Sequence, residues 1–146
     1  MVIDSAHCLR NINWRQSKHC DAPQINIECD SGQQGVFQCE LIVLHCVSLP
    51  AGEFGSGLPS QLFTGTIDIG AHESFASLAG VRVAPHLFID RDGAVEQFVP
   101  FDRPAWHAGE SQWMNRQSCN RFSLGIELEG TWESPFAEAQ YDALLE

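Results

Sequence analysis

The sequence is short of positive charge: eight lysines and arginines stand against nineteen aspartates and glutamates, giving a formal net charge of −11 over 146 residues. Such a field repels phosphate backbones and anionic headgroups, which argues against nucleic acid or a membrane surface as partner. An anionic small substrate would need local arginines, and Arg82, Arg116 and Arg121 are the candidates by position. Long hydrophobic runs are also missing. The longest, Leu41 to Leu44, falls far short of a bilayer span. The first thirty residues interleave Asp4, Arg10, Arg15, Lys18 and Asp21 with small apolar clusters, so no signal-peptide core is read there and a cytoplasmic location is expected. The six cysteines, Cys8, Cys20, Cys29, Cys39, Cys46 and Cys119, include no C-x-x-C pair, the usual spacing of a zinc knuckle or redox motif. Reduced thiols acting as small buried hydrophobes are expected instead. There is no internal repeat and no low-complexity linker, so residues 1–146 read as a single domain.

What is present describes a globular chain, with 44% hydrophobic and only 18% charged residues. Residues 1–39 show no sustained period and are broken by Pro23, Gly32 and Gly35, so they read as a decorated N-terminal segment. The first strong element is Glu40-Leu-Ile-Val-Leu-His-Cys-Val47, whose continuous apolar run predicts a central strand buried on both faces. A Gly- and Pro-bearing loop, Ser48 to Gly57, follows. Asp68 to Leu78 predicts a short helix capped by Asp68 and stopped by Gly80. Val83 to Pro100 predicts a hairpin turning at Asp92-Gly93 in a type I′ turn. Phe122 to Glu129 alternates: Phe122, Leu124, Ile126 and Leu128 share one face, and Ser123, Gly125, Glu127 and Glu129 the other. Ser134-Pro135 predicts the start of a last helix, with serine as cap and proline at the first helical position.

Several residues carry possible chemistry. His45 ends an apolar strand before a loop, the kind of place where binding residues collect. It reads either as a metal ligand or as a core histidine bonded to a carbonyl. Glu127 and Glu129 share the polar face of their strand. Facing a cleft, one of them suits a general base; facing solvent, they are ordinary strand carboxylates. Glu127 sits deeper, where desolvation would raise its pKa. Trp106-His107 reads equally as a sugar-stacking wall with a polar contact and as packing under a loop, whereas His86, mid-hairpin, reads as structural.

Taken together, Leu41 to Gly55, Leu62-Phe-Thr-Gly-Thr-Ile-Asp68, Arg82-Val-Ala-Pro-His86, Ala105-Trp-His-Ala-Gly109 and Ser123-Leu-Gly-Ile-Glu-Leu-Glu-Gly130 resemble the AmpD-type anhydro-N-acetylmuramoyl-L-alanine amidases. These belong to the superfamily that includes the peptidoglycan-recognition proteins. The resemblance runs from about residue 40 to the end, and 1–39 match only loosely. It implies one amidase domain of α/β class, a mixed central β-sheet flanked by helices, with a Zn2+ ion in a groove over the sheet. It implies His45 as zinc ligand, Glu127 as catalytic glutamate, and Arg82, Trp106 and His107 around the substrate. The implied reaction is hydrolysis of the amide between the muramyl lactyl group and L-alanine in anhydromuramyl peptides, during cytoplasmic peptidoglycan recycling. In the family the last helix continues and a further strand follows, with a second zinc histidine, an aspartate ligand and a lysine near the oxyanion. From that, one zinc ligand is expected here, in a chain impaired and poorly stable by itself. Two rivals stand beside the amidase: a non-catalytic muropeptide-binding module, and a structural metal or thiol protein using the cysteines with His19 and His45.

Overall fold

The computed structural model describes residues 1–21 and 39–146, with the backbone of 27–28 and 34–35; the breaks read at Pro23 and Gly32, and Cys29, lie outside the described residues. In chain order the strands are β1 (Asn13–Trp14), β2 (Ile27–Glu28), β3 (Gln34–Gly35), β4 (Leu41–Val47), β5 (Leu87–Ile89), β6 (Val95–Gln97), β7 (Gln112–Trp113), β8 (Arg116–Gln117) and β9 (Ser123–Glu129). The α-helices are α1 (Leu58–Thr64) and α2 (Glu138–Leu145). Five strands form a mixed sheet in the order β1-β6-β5-β9-β4, in which only β5 and β6 run antiparallel. Strands β2–β3 and β7–β8 are separate two-stranded ribbons. The α/β architecture with a mixed sheet and a few helices matches the expectation.

The alternation of β9 divides the core in two. On one face Phe63 and Leu62 of α1 meet Phe88, Phe98, Val99, Ala84 and Ala105, with Phe63 set edge-on to Phe88 and Phe98. On the other, Ile89, Val95 and Leu128 are covered by Phe136, Ala143 and Leu144 from α2 and the segment before it. Burying one such aromatic ring is worth about 2–3 kcal/mol.

Four expectations are corrected. β4 is an edge strand among the described residues, and Ile42 and Leu44 are 58% and 53% exposed. Its apolar run is real on both faces, but Ala143 and Leu144 of α2 pack on Ile89, Val95 and Leu128, and Ile42 and Leu44 are left exposed. The helix read over 68–78 is a 3₁₀ helix over Glu73–Leu78 whose cap is His72, with Nδ1 accepting from the Ser74 N–H. Asp68 instead folds its carboxylate onto the Gly70 N–H, the local competition that keeps aspartate out of helix interiors. The turn at Asp92-Gly93 is not type I′, because of the two only Gly93 has positive φ (+82°). Asp90 organises a longer loop, its carboxylate accepting from the Asp92 and Ala94 N–H groups. Finally, α2 begins at Glu138, not at Ser134-Pro135. Ser134 is held by Thr131, Phe136 lies against Gly130, and Gln140 caps the helix by accepting from the Ala137 N–H. Helix α1, bracketed by Pro59 and Gly65, was not anticipated.

Candidate active site

Strands β4 and β9 run parallel with His45 directly opposite Glu127, so the pairing register alone puts an imidazole and a carboxylate side by side on the α1 face. The two glutamates of that face are then separated by their surroundings. Glu129 is buried and fully engaged: one carboxylate oxygen accepts from the Gly55 N–H at 2.7 Å and the other from the Arg91 N–H at 3.3 Å. It ties the Ser48–Gly57 loop to the β5–β6 turn. Glu127 has a buried Oε2 with no hydrogen-bond partner among the described residues. Burial pushes its carboxyl up to about 7, because the ionised form loses water without gaining a partner.

A third group arrives from the loop after β6. His107 lies across β9 at Gly125, where a Cβ would sit 2.2 Å from the ring's Cγ; no other residue leaves room for it. Asn120 fixes the loop by accepting from the His107 and Ala108 N–H groups at 3.2 and 2.9 Å. The His107 ring then meets His45 Nε2 through Nδ1 at 3.0 Å and Ser123 Oγ through Nε2 at 3.1 Å. Burial, and then the neighbouring His86 and His45, lower the His107 pKa to about 3, and burial lowers that of His45. Burial thus favours the neutral form of both rings.

The remaining sequence candidates lie in differing surroundings. Trp106 is held in place by the N-terminal segment: its Nε1–H donates to Asp21 at 3.0 Å, its backbone N–H donates to the His19 carbonyl, and its indole stacks on the His19 imidazole. Arg82 is exposed, and no contact joins it to the histidine pair. Arg116 pairs with Glu40 and lies over the Phe122 ring. His86 is structural. Its Nδ1 accepts from the Gly125 N–H and its Nε2 donates to the Arg103 carbonyl. Burial lowers its pKa to about 4, against the opposing pull of the bond to the Arg103 carbonyl. Sequence reading missed Ser123, Asn120 and Asp21. Gly125 did carry a signal, since glycine inside a strand marks close approach of another group.

A catalytic zinc takes three protein ligands. Among the described residues no group of three His, Cys, Asp or Glu is arranged to hold a metal. His45 offers an imidazole and Glu127 an unpartnered oxygen, while both His107 nitrogens are engaged. These residues do not make up a zinc site by themselves. Cys8, Cys20, Cys39, Cys46 and Cys119 are free, and none is gathered with His19 or His45 in such a group. No helix among the described residues is long and apolar enough to cross a membrane.

The family model described as N-acetylmuramoyl-L-alanine amidase matches residues 37–146. The 1,6-anhydro-N-acetylmuramyl-L-alanine amidase AmpD of Escherichia coli K12 is 55% identical over 104 residues, which cover 71% of this chain and 57% of that protein. The protein of the same name from Haemophilus influenzae is 45% identical over 106 residues, covering 73% and 58%. The chain thus spans just over half the length of these relatives. The crystal structure of a selenomethionine AmpD derivative superposes with a TM-score of 0.86 at 43% identity, over 99% of this chain and 74% of that one.

Proposed function

Since the chain belongs to the N-acetylmuramoyl-L-alanine amidase family, we propose that it hydrolyses the amide between the muramyl lactyl group and L-alanine in anhydromuramyl peptides, with Glu127 as proton acceptor. The AmpD relatives are 1,6-anhydro-N-acetylmuramyl-L-alanine amidases, which supports the substrate class. The observation that carries the reading is the Glu127 carboxyl: buried, without a partner, opposite His45, and titrating near 7.

A carboxyl of that pKa is about half ionised at neutral pH, the optimum for moving a proton in both directions. Ionised Glu127 takes a proton from the water that attacks the lactyl carbonyl carbon, then gives it to the departing alanine nitrogen. Trp106 offers an apolar wall for the sugar, with its indole N–H held by Asp21 so that the ring orientation is set before substrate arrives. His107 and Arg82 complete the groove in this reading, Arg82 by countering the substrate's carboxylates. A zinc requirement with His45 as ligand, and a cytoplasmic role in peptidoglycan recycling, belong to the same proposal.

The test is release of the stem peptide from anhydromuramyl peptide, followed by mass spectrometry. Glu127→Gln, which keeps the shape and loses the base, is expected to reduce cleavage by roughly 10²-fold or more. Full cleavage by Glu127→Gln would remove Glu127 from the reaction. Tight binding without cleavage by the unmodified protein would favour a binding module.

A further inference from the structure

Residues Ser17 to Asp21 precede the stretch that carries the family likeness, yet they are bonded to the parts of the chain that surround Trp106. Ser17 is buried: its N–H donates to the Phe98 carbonyl at 2.9 Å and its Oγ donates to the Phe63 carbonyl at 2.6 Å. The same oxygen accepts from the His19 N–H at 3.0 Å, which turns the backbone there. Cys20 then bridges Ala105 antiparallel, and the Asp21 N–H donates to the Pro104 carbonyl at 3.0 Å. The segment is thus laid alongside residues 104–106.

His19 is the junction. A carbonyl oxygen only accepts, so His19 donates from Nδ1 to Val83 at 3.0 Å. Its own carbonyl accepts from the Trp106 N–H at 3.1 Å, and its imidazole lies within 9° of parallel to the indole. Cε1 and Nε2 of the ring border Gly65, where a Cβ would come to 3.3 Å from both. The Ala84 N–H donates to the Trp106 carbonyl at 3.0 Å, so the residues after Arg82 are tied to the tryptophan directly and through His19. Asp21 completes the arrangement, its Oδ1 accepting the Trp106 Nε1–H at 3.0 Å. An indole has two side-chain torsions and one polar hydrogen. With its backbone and that hydrogen both held, the plane of its face is set.

We propose that Ser17–Asp21 is a strap that builds the sugar wall of the groove, with His19 and Asp21 as positioning residues acting through Trp106. His19 fixes the backbone that carries the indole and joins it to the Val83 segment; Asp21 fixes the tilt of the ring. A ring ordered before the ligand arrives loses no rotamer freedom on binding, so the strap sets how tightly the saccharide half of the substrate is held. It does not set how fast the amide is cut, because no hydrogen bond among the described residues joins 17–21 to His45, His107 or Glu127. That the wall takes a sugar rests on the amidase reading; the ties that hold Trp106 do not.

The test joins a ¹H–¹⁵N correlation spectrum of the four indole N–H groups to steady-state cleavage of anhydromuramyl peptide. Asp21 is exposed, so replacing it leaves the core untouched. Asp21→Ala removes the acceptor, and Asp21→Asn keeps an oxygen in its place. In Asp21→Ala the Trp106 indole signal is expected to move and KM to rise roughly 3- to 10-fold at unchanged kcat, the equivalent of one hydrogen bond. Asp21→Asn is expected to restore both, and His19→Ala to act in the same direction as Asp21→Ala. An unchanged KM in Asp21→Ala overturns the proposal, as does a fall in kcat without a change in KM, or a loss of thermal stability alone. If the unmodified protein does not cleave, titration with 1,6-anhydro-N-acetylmuramic acid takes the place of KM. Weaker binding by Asp21→Ala, restored in Asp21→Asn, then supports the strap while the amidase reading fails. Equal binding by Asp21→Ala, or no binding by the unmodified protein, overturns it.

Discussion

Gly125→Ala isolates the closest approach in the site. The added Cβ would sit 2.2 Å from His107 Cγ, 2.5 Å from Nδ1 and 2.6 Å from Cδ2, all inside van der Waals contact. The ring must shift, and its bonds to His45 and Ser123, at 3.0 and 3.1 Å, cannot both survive the shift. Overpacking of this kind costs about 1–3 kcal/mol. Two lost neutral hydrogen bonds add about 0.5–1.5 kcal/mol each. Against this, replacing glycine inside a strand returns about 0.5–1 kcal/mol of backbone entropy. The clash wins, for a net loss of about 2–4 kcal/mol. In a His107→Ala background the obstacle is gone, and the same substitution is expected to be neutral or to stabilise by up to about 1 kcal/mol. Urea unfolding of the four proteins gives the coupling directly, expected at about 3 kcal/mol. Additivity within about 0.5 kcal/mol would refute the reasoning, because it would mean the ring does not occupy the space over Gly125.

Three further outcomes follow from the same geometry. Glu127 has a folded pKa of about 7, above its ordinary value of 4.5, so its proton is held more tightly in the folded state. Its contribution is therefore favourable below pH 4.5 and is lost as pH rises to 7, costing about 3 kcal/mol at and above neutrality. Unfolding titrations should show that slope in the unmodified protein and not in Glu127→Gln. Glu129→Ala is expected to destabilise by about 2–4 kcal/mol, since it strands two backbone N–H groups, and it should loosen the loop at Gly55; a change below about 0.5 kcal/mol in thermal unfolding would contradict the anchoring role. His45 is one ligand of a set these residues do not complete, so the chain is expected to hold well under one zinc after exhaustive dialysis; near one zinc per chain, lost in His45→Ala, would contradict that.

The alternation of β9, the hairpin around Asp92-Gly93, the α/β class and the position of His45 at the end of an apolar strand were legible in the sequence, because each depends on residues adjacent along the chain. Helix boundaries were less so. Ser134-Pro135 has the chemistry of a helix start, yet the chain spends that segment docking Phe136 against Gly130 before α2 begins. The edge position of β4 could not be read, since an apolar run states what a strand can bury, not what is stacked on it.

The sequence singled out Glu127 over Glu129 by its place in the strand and by resemblance, but what engages each carboxylate lay beyond it. The fold separates them by giving Glu129 the N–H groups of Gly55 and Arg91 and giving Glu127 none. The same holds for His107, which lies 62 positions from His45 and 16 from Ser123. The sequence by itself determined which residues could share a strand face and which types were available for chemistry. Only the tertiary structure decided their protonation and their partners, because desolvation and hydrogen bonding are set by groups brought close in space across long stretches of chain.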